Sequence, residues 1–238
     1  MRLTLMKPVF PRVLLAATAL LLTLSAAAQL AVPAGQGDTF KDTSPIKPPA
    51  GAKVAIFEFE DLECPACSHA FPLVHAAVEH YKIPLVRHDF PLRGHIWSLD
   101  AAITARYIQD RISPAAAEEF RGAVFANQSS IQSKEDLQTF TQKYFQAHGR
   151  TMPFVVDPTG QFAKEVNEDY ELGLRIGLLH TPTIFVATQK QWIQVVDMNQ
   201  LYQTLDSVIA QVGGVASTSS GKTTAANSKL RHPATPQK

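Results

Sequence analysis

Only two cysteines occur in 238 residues, and both fall in one tetrapeptide, Cys64-Pro65-Ala66-Cys67. Ahead of them runs an apolar stretch with Val54, Ile56, Phe57 and Phe59, which predicts a buried strand. Behind them Phe71, Val74 and Val78 recur at helical spacing. The pair therefore sits where a strand passes into a helix, with the first sulfur at the helix N-terminus. Unpaired N–H groups and the helix dipole favour a thiolate there, so the pattern predicts a nucleophilic cysteine.

The rest of the chain divides by composition. Residues 1–28 carry Arg2, Lys7 and Arg12, then an apolar run from Val13 to Leu24, then Ala26-Ala27-Ala28. This is the pattern of a secretory signal peptide, with an uncleaved membrane anchor as the alternative. No cysteine lies near the cleavage site, which excludes a lipoprotein anchor. Export to a periplasmic or other extracytoplasmic space implies a compartment where disulfides persist. Residues 29–51, with Pro45, Pro48 and Pro49, are expected to be a linker. Residues 52–212 have the length of one domain, and a chain that is 45% hydrophobic can fill its core. The net charge of +1 gives no reason to expect nucleic acid as a partner. Residues 213–238 hold Lys222, Lys229, Arg231 and Lys238 with no acidic residue, and are expected to be a disordered basic tail.

Within the domain a second strand is expected over Ile83–Phe90, followed by four helical segments. Ser113-Pro114 and Ser133 with Asp136 mark two helix starts. Asp157-Pro158 marks another, and Trp97 the first. The strand period returns at Thr183–Val186 and Trp192–Val196, and a last helix through Leu201, Leu205 and Val208 stops at Gly213-Gly214. The order is strand, helix, strand, helical block, strand, strand, helix.

That order, with Cys64-Pro65-Ala66-Cys67 after the first strand and Thr181-Pro182-Thr183 before the third, resembles the DsbA-like family of exported thiol–disulfide oxidoreductases. Pro72 inside the first helix and Phe90-Pro91-Leu92 after the second strand also match that family's pattern. The resemblance implies an α/β, thioredoxin-like fold with a mostly helical insertion, about 95–178, between the second and third strands. It implies an enzyme whose redox-active disulfide, Cys64–Cys67, needs no cofactor and no metal. Cys64 is then the exposed nucleophile and Cys67 its buried partner. Thr181 and a cis Pro182 bind an extended substrate segment. Glu58 stands where the family places a buried carboxylate that moves the proton of Cys67, or else points to solvent from a strand edge. Glu60, Asp61 and Glu63 are expected to form a solvated acidic rim.

Three positions bear on redox poise. Pro65 and Ala66 form a central dipeptide without the histidine of the strongly oxidising type, and His180 stands where glycine is frequent. By the resemblance, the partners are cysteine-containing exported proteins and a membrane redox protein, and the enzyme is a monomer acting as a dithiol oxidase. Reductase or isomerase activity is the alternative. Two further readings of the cysteine pair stand beside it. In one the pair is half of a zinc site, although no second cysteine pair exists to complete it. In the other it is an inert staple in a binding module, although so short a loop gains little from cross-linking.

Overall fold

The computed structural model describes residues 40–214 and the backbone of residues 31–33. The expected signal peptide, 1–28, and all but the first two residues of the expected tail lie outside the described residues. Among those described, no helix is long and apolar enough to cross a membrane.

The strand expected before the cysteines is β2, Val54–Glu60, and all seven of its residues are buried. It pairs in parallel with β3, Leu85–Asp89, and antiparallel with β4, Thr183–Thr188. β5, Trp192–Val195, pairs antiparallel with β4, and β1, Ala31–Pro33, adds antiparallel to β5. The sheet order is thus β1-β5-β4-β2-β3. β1 falls inside the stretch expected as a linker. Further along that stretch Ile46 is buried and Phe40 packs edge-on to Phe185 and Trp192. Proline density obscured this in the sequence, because a three-residue edge strand has too few positions to show a period.

Alternation along β2 gives its two faces different coverings. Val54 and Ile56 point towards α1 (Pro65–Tyr81) and α6 (Leu201–Gln211), packing with Ala70, Val74, Leu205 and Val208. Ala55, Phe57 and Phe59 point the other way, onto Phe90, Ile176, Phe185 and Trp192. Glu58 and Glu60 continue the α1 face. At that end the helical insertion takes over the covering.

The insertion comprises α2 (Ser98–Arg111), α3 (Pro114–Asn127), α4 (Lys134–Ala147) and α5 (Gln161–Ile176). The caps read from sequence are in place: the side chains of Ser113 and Ser133 accept the N–H groups of Ala116 and Asp136. α5 starts three residues beyond Pro158, behind Gly160 in the left-handed region at φ 72°. The insertion has its own core, built from Trp97, Ala105, Ile108, Phe120, Phe145 and their neighbours, and that core also contains Leu62, Cys64 and Cys67. The cysteine pair is therefore walled by the insertion as much as by the sheet.

Candidate active site

Cys64 is the N-cap of α1, with extended dihedrals, and Pro65 holds the first helical position. Proline is favoured there because its missing N–H would have found no helical partner. The Cys64 carbonyl accepts the N–H groups of Cys67, at 3.1 Å, and Ser68, at 3.2 Å. This closes the first turn and sets the two sulfurs on one side of it. Pro65 and Ala66 are exposed. Cys64, expected to be exposed, keeps only 7% of its surface accessible, because it packs into the insertion's core, of which Leu62 and Trp97 are also members. Cys67 is sealed, at 0%. Both are free thiols in this structure.

The cis-proline loop meets the pair from across the sheet. The Thr181–Pro182 bond is cis, and the Cys64 thiol donates to the Thr181 carbonyl at 3.3 Å. The Thr181 hydroxyl is buried with no hydrogen-bond partner among the described residues, so it is free to turn to a thiolate. Cys64 is held down to about 5, first by a hydrogen bond from the Cys67 thiol and against the opposing effect of burial. Thr181 and the backbone N–H groups of Cys67 and Ala66 add to it. Burial pushes Cys67 far up, and its role as donor to Cys64 pushes it further. One sulfur is an anion at neutral pH and the other keeps its proton. His180 is exposed, and its backbone carbonyl, accepting from Thr183 Oγ1 at 2.8 Å, is its contact with the loop. The largest influences on Cys64 come from Cys67, burial, Thr181 and Ala66 rather than from the His180 ring.

The acidic rim is the largest departure from expectation. Glu60 and Asp61 are buried and Glu63 is partly so. A buried carboxylate is tolerable only when charge and hydrogen bonds compensate it, and here the insertion and β3 together supply both. Arg121 of α3 reaches Glu60 at 2.5 Å and Asp89 at 2.8 Å. Arg87 of β3 lies 3.3 Å from Glu58 and 3.2 Å from Glu60, and it also pairs with Glu118. Arg106 of α2 bridges Asp89 and Asp169. Burial would raise the Asp89 carboxyl, but Arg121 and Arg106 outweigh it and hold it well below the ordinary range. Glu63 accepts the N–H groups of Trp97 at 2.7 Å and Ser98 at 2.9 Å, which caps the start of α2.

Glu58 is buried as the family pattern implies, and burial together with the neighbouring Glu60 raises it to about 7, against Arg87 and His75. Its hydrogen bonds go to Arg87. The carboxylate whose charge acts on Cys67 is Glu60, and the N–H that reaches Cys67 Sγ, at 3.4 Å, is that of Asp61. Sequence reasoning also missed Gln128. From the turn after α3 its side chain donates to the carbonyls of Leu62, at 2.7 Å, and Cys64, at 3.1 Å. Nothing in the pattern marks a glutamine 64 positions from its partner.

A family model described as thioredoxin matches residues 49–210. The chain belongs to the thioredoxin family. With the Cys-x-x-Cys pair intact at the head of α1, it is a thiol–disulfide oxidoreductase, and the cysteine pair itself carries the redox chemistry. Among the described residues no group of three or more His, Cys, Asp or Glu could hold a metal ion. Several solved structures share the DsbA-like form of the fold. Wolbachia pipientis alpha-DsbA1 aligns over 71% of this chain and 95% of its own, at 18% identity and a TM-score of 0.55. The catalytic domain of Proteus mirabilis ScsC aligns over 69% and 88%, at 17% identity and 0.54. The thiol-disulfide exchange protein alpha-DsbA2 of Wolbachia pipientis aligns over 68% and 85%, at 16% identity and 0.52. At such identities the likeness is one of fold. No curated protein matches the chain.

Proposed function

We propose that this thioredoxin-family protein is an exported, monomeric dithiol oxidase that introduces disulfides into cysteine-containing exported proteins. The observation that carries the reading is the split between the two sulfurs, with Cys64 held down to about 5 while Cys67 retains its proton. Stabilising the thiolate stabilises the reduced form, and a pair whose reduced form is favoured is an oxidant.

The reaction follows from that split. A substrate thiolate attacks Cys64 Sγ of the protein disulfide. The Cys64–Cys67 bond breaks, and Cys67 leaves as a thiolate and takes up a proton. A second substrate thiolate then attacks the substrate sulfur of the mixed disulfide and releases Cys64, which the site accepts as an anion. The substrate dithiol has lost two electrons and the protein disulfide has gained them. A membrane redox partner bearing a disulfide takes them on and restores Cys64–Cys67. Thr181 and Pro182 hold the extended substrate segment beside Cys64 by main-chain hydrogen bonds, and Pro65 and Ala66 form the exposed lip it passes over. Glu58, raised to about 7 on the strand that leads into the pair, is a group able to hold or release a proton near neutrality. The signal-peptide pattern of residues 1–28 supports export to an oxidising compartment.

Equilibration with glutathione tests this, with Cys64→Ser as the inactive control. An oxidase gives a potential towards about −120 mV, whereas a value near about −270 mV identifies a reductase and overturns the direction. Absence of exchange in the wild-type protein returns the chain to a binding role.

A further inference from the structure

Asp61 was expected in a solvated rim, yet its side chain has 0% of its surface exposed. All four lone-pair positions of its carboxylate are taken. Oδ1 accepts from the N–H of Glu63 at 2.7 Å and from the Ser98 hydroxyl. Oδ2 accepts from the N–H of Leu92 at 2.7 Å and is paired with Nδ1 of His95 at 2.6 Å. One donor belongs to its own turn, and the other three come from residues 92–98, where the insertion begins.

The backbone of the same residue touches both cysteines. Its N–H donates to Cys67 Sγ at 3.4 Å, and its carbonyl accepts the Cys64 N–H at 3.0 Å. A carboxylate fastened at four points can rotate very little, so the peptide groups on either side of it are fixed too. We propose that Asp61 is the positioning residue of the redox pair: residues 92–98 clamp its carboxylate, and the clamped residue holds an N–H on Cys67 and a carbonyl on Cys64.

The consequence runs along a chain of donors. The Asp61 N–H polarises the Cys67 thiol, which donates in turn to the Cys64 thiolate. Each donor strengthens the next. The same N–H receives charge when Cys67 leaves as a thiolate during attack on the disulfide. Loosening Asp61 weakens both effects, so it makes Cys64 harder to ionise and the protein a poorer oxidant. The inference deepens the oxidoreductase reading and rests on it.

The test uses Asp61→Asn, which puts an amide N–H₂ against groups that are themselves donors, and Ser98→Ala, which removes one clamp without touching either cysteine. Two quantities are read for each: the equilibrium constant with glutathione, and the pH midpoint of Cys64 alkylation in the reduced protein. With Asp61→Asn the equilibrium constant for oxidising glutathione falls about tenfold, which is about 30 mV for this couple, and the alkylation midpoint moves up. Ser98→Ala moves both in the same direction by less. If both variants lose thermal stability but keep the wild-type midpoint and equilibrium constant, Asp61 is a structural residue only and the proposal is overturned. Should Asp61→Asn fail to fold, Ser98→Ala and His95→Ala, at a partly exposed side chain, carry the same two readouts. The alkylation midpoint needs no exchange, so a wild-type protein inert towards glutathione sinks the proposed function while Asp61 is still tested.

Discussion

Two residues in the site have proton affinities displaced in opposite senses, and each leaves its own mark on stability. Cys64 is lowered from 9.0 to about 5 on folding, so its contribution is present above pH 9 and is lost as pH falls through 5. It exists only in the reduced protein. Glu58 is raised from 4.5 to about 7, so its contribution is present below pH 4.5 and is lost as pH rises through 7. It exists in both redox forms and cancels between them. Thermal melts of the reduced and oxidised proteins should therefore show a gap that grows in favour of the reduced form from pH 5 to 9. A gap that stays flat would refute the lowered Cys64. Arg121 is the second test at this scale. It is fully buried between Glu60 and Asp89, so Arg121→Ala takes one of two buried cations from each, leaving Glu60 to Arg87 and Asp89 to Arg106, and should cost about 3 kcal/mol in urea unfolding. The cysteine pair was legible in the sequence because its spacing and its strand-to-helix setting are local. The burial of Glu60, Asp61 and Glu63 was not, because the groups that make it tolerable, Arg87, Arg121, Ser98 and Trp97, lie 27 to 61 positions further along the chain than the carboxylates they meet.

Helix starts were legible for a similar reason, since a cap is written in three or four consecutive residues. The Ser133 hydroxyl accepts the Asp136 N–H at 3.0 Å on an exposed turn. Ser133→Ala should lower stability by about 1 kcal/mol with exchange activity unchanged. The start of α5 was read early because Asp157-Pro158 imitates a helix entry, whereas the chain first turns through Gly160, and Asp157 instead accepts the Ala163 N–H at 2.8 Å. How α5 meets the sheet could not be read at all. A Cβ at Gly173 would lie 2.5 Å from the Phe90 ring, so glycine is what lets α5 approach the end of β3. Gly173→Ala should cost about 1–3 kcal/mol by overpacking. Adding Phe90→Leu should return part of it, a non-additivity that urea titration of the two single variants and the double variant would register.

At the scale of the molecule, the two tryptophans report on different cores: Trp97 packs in the insertion's and Trp192 against the sheet. Because Leu62, Cys64 and Cys67 come from the thioredoxin unit yet belong to the insertion's core, and because Arg87, Arg106 and Arg121 tie β3, α2 and α3 into one buried ion network, the two should unfold together. Trp97→Phe and Trp192→Phe, each leaving one fluorophore, should give coincident urea midpoints once the stability change of each substitution is allowed for by circular dichroism on the same sample. Separated transitions would mean that the cores are independent. The shared wall also bears on how such proteins diverge and on how they can be rebuilt. A graft that exchanged residues 95–178 for a relative's would replace Ser98, Trp97, Arg121 and Gln128 along with the surface it meant to change. Redox strength and outer surface would then be inherited as one package, so a chimera designed for a new client would arrive with a new driving force as well.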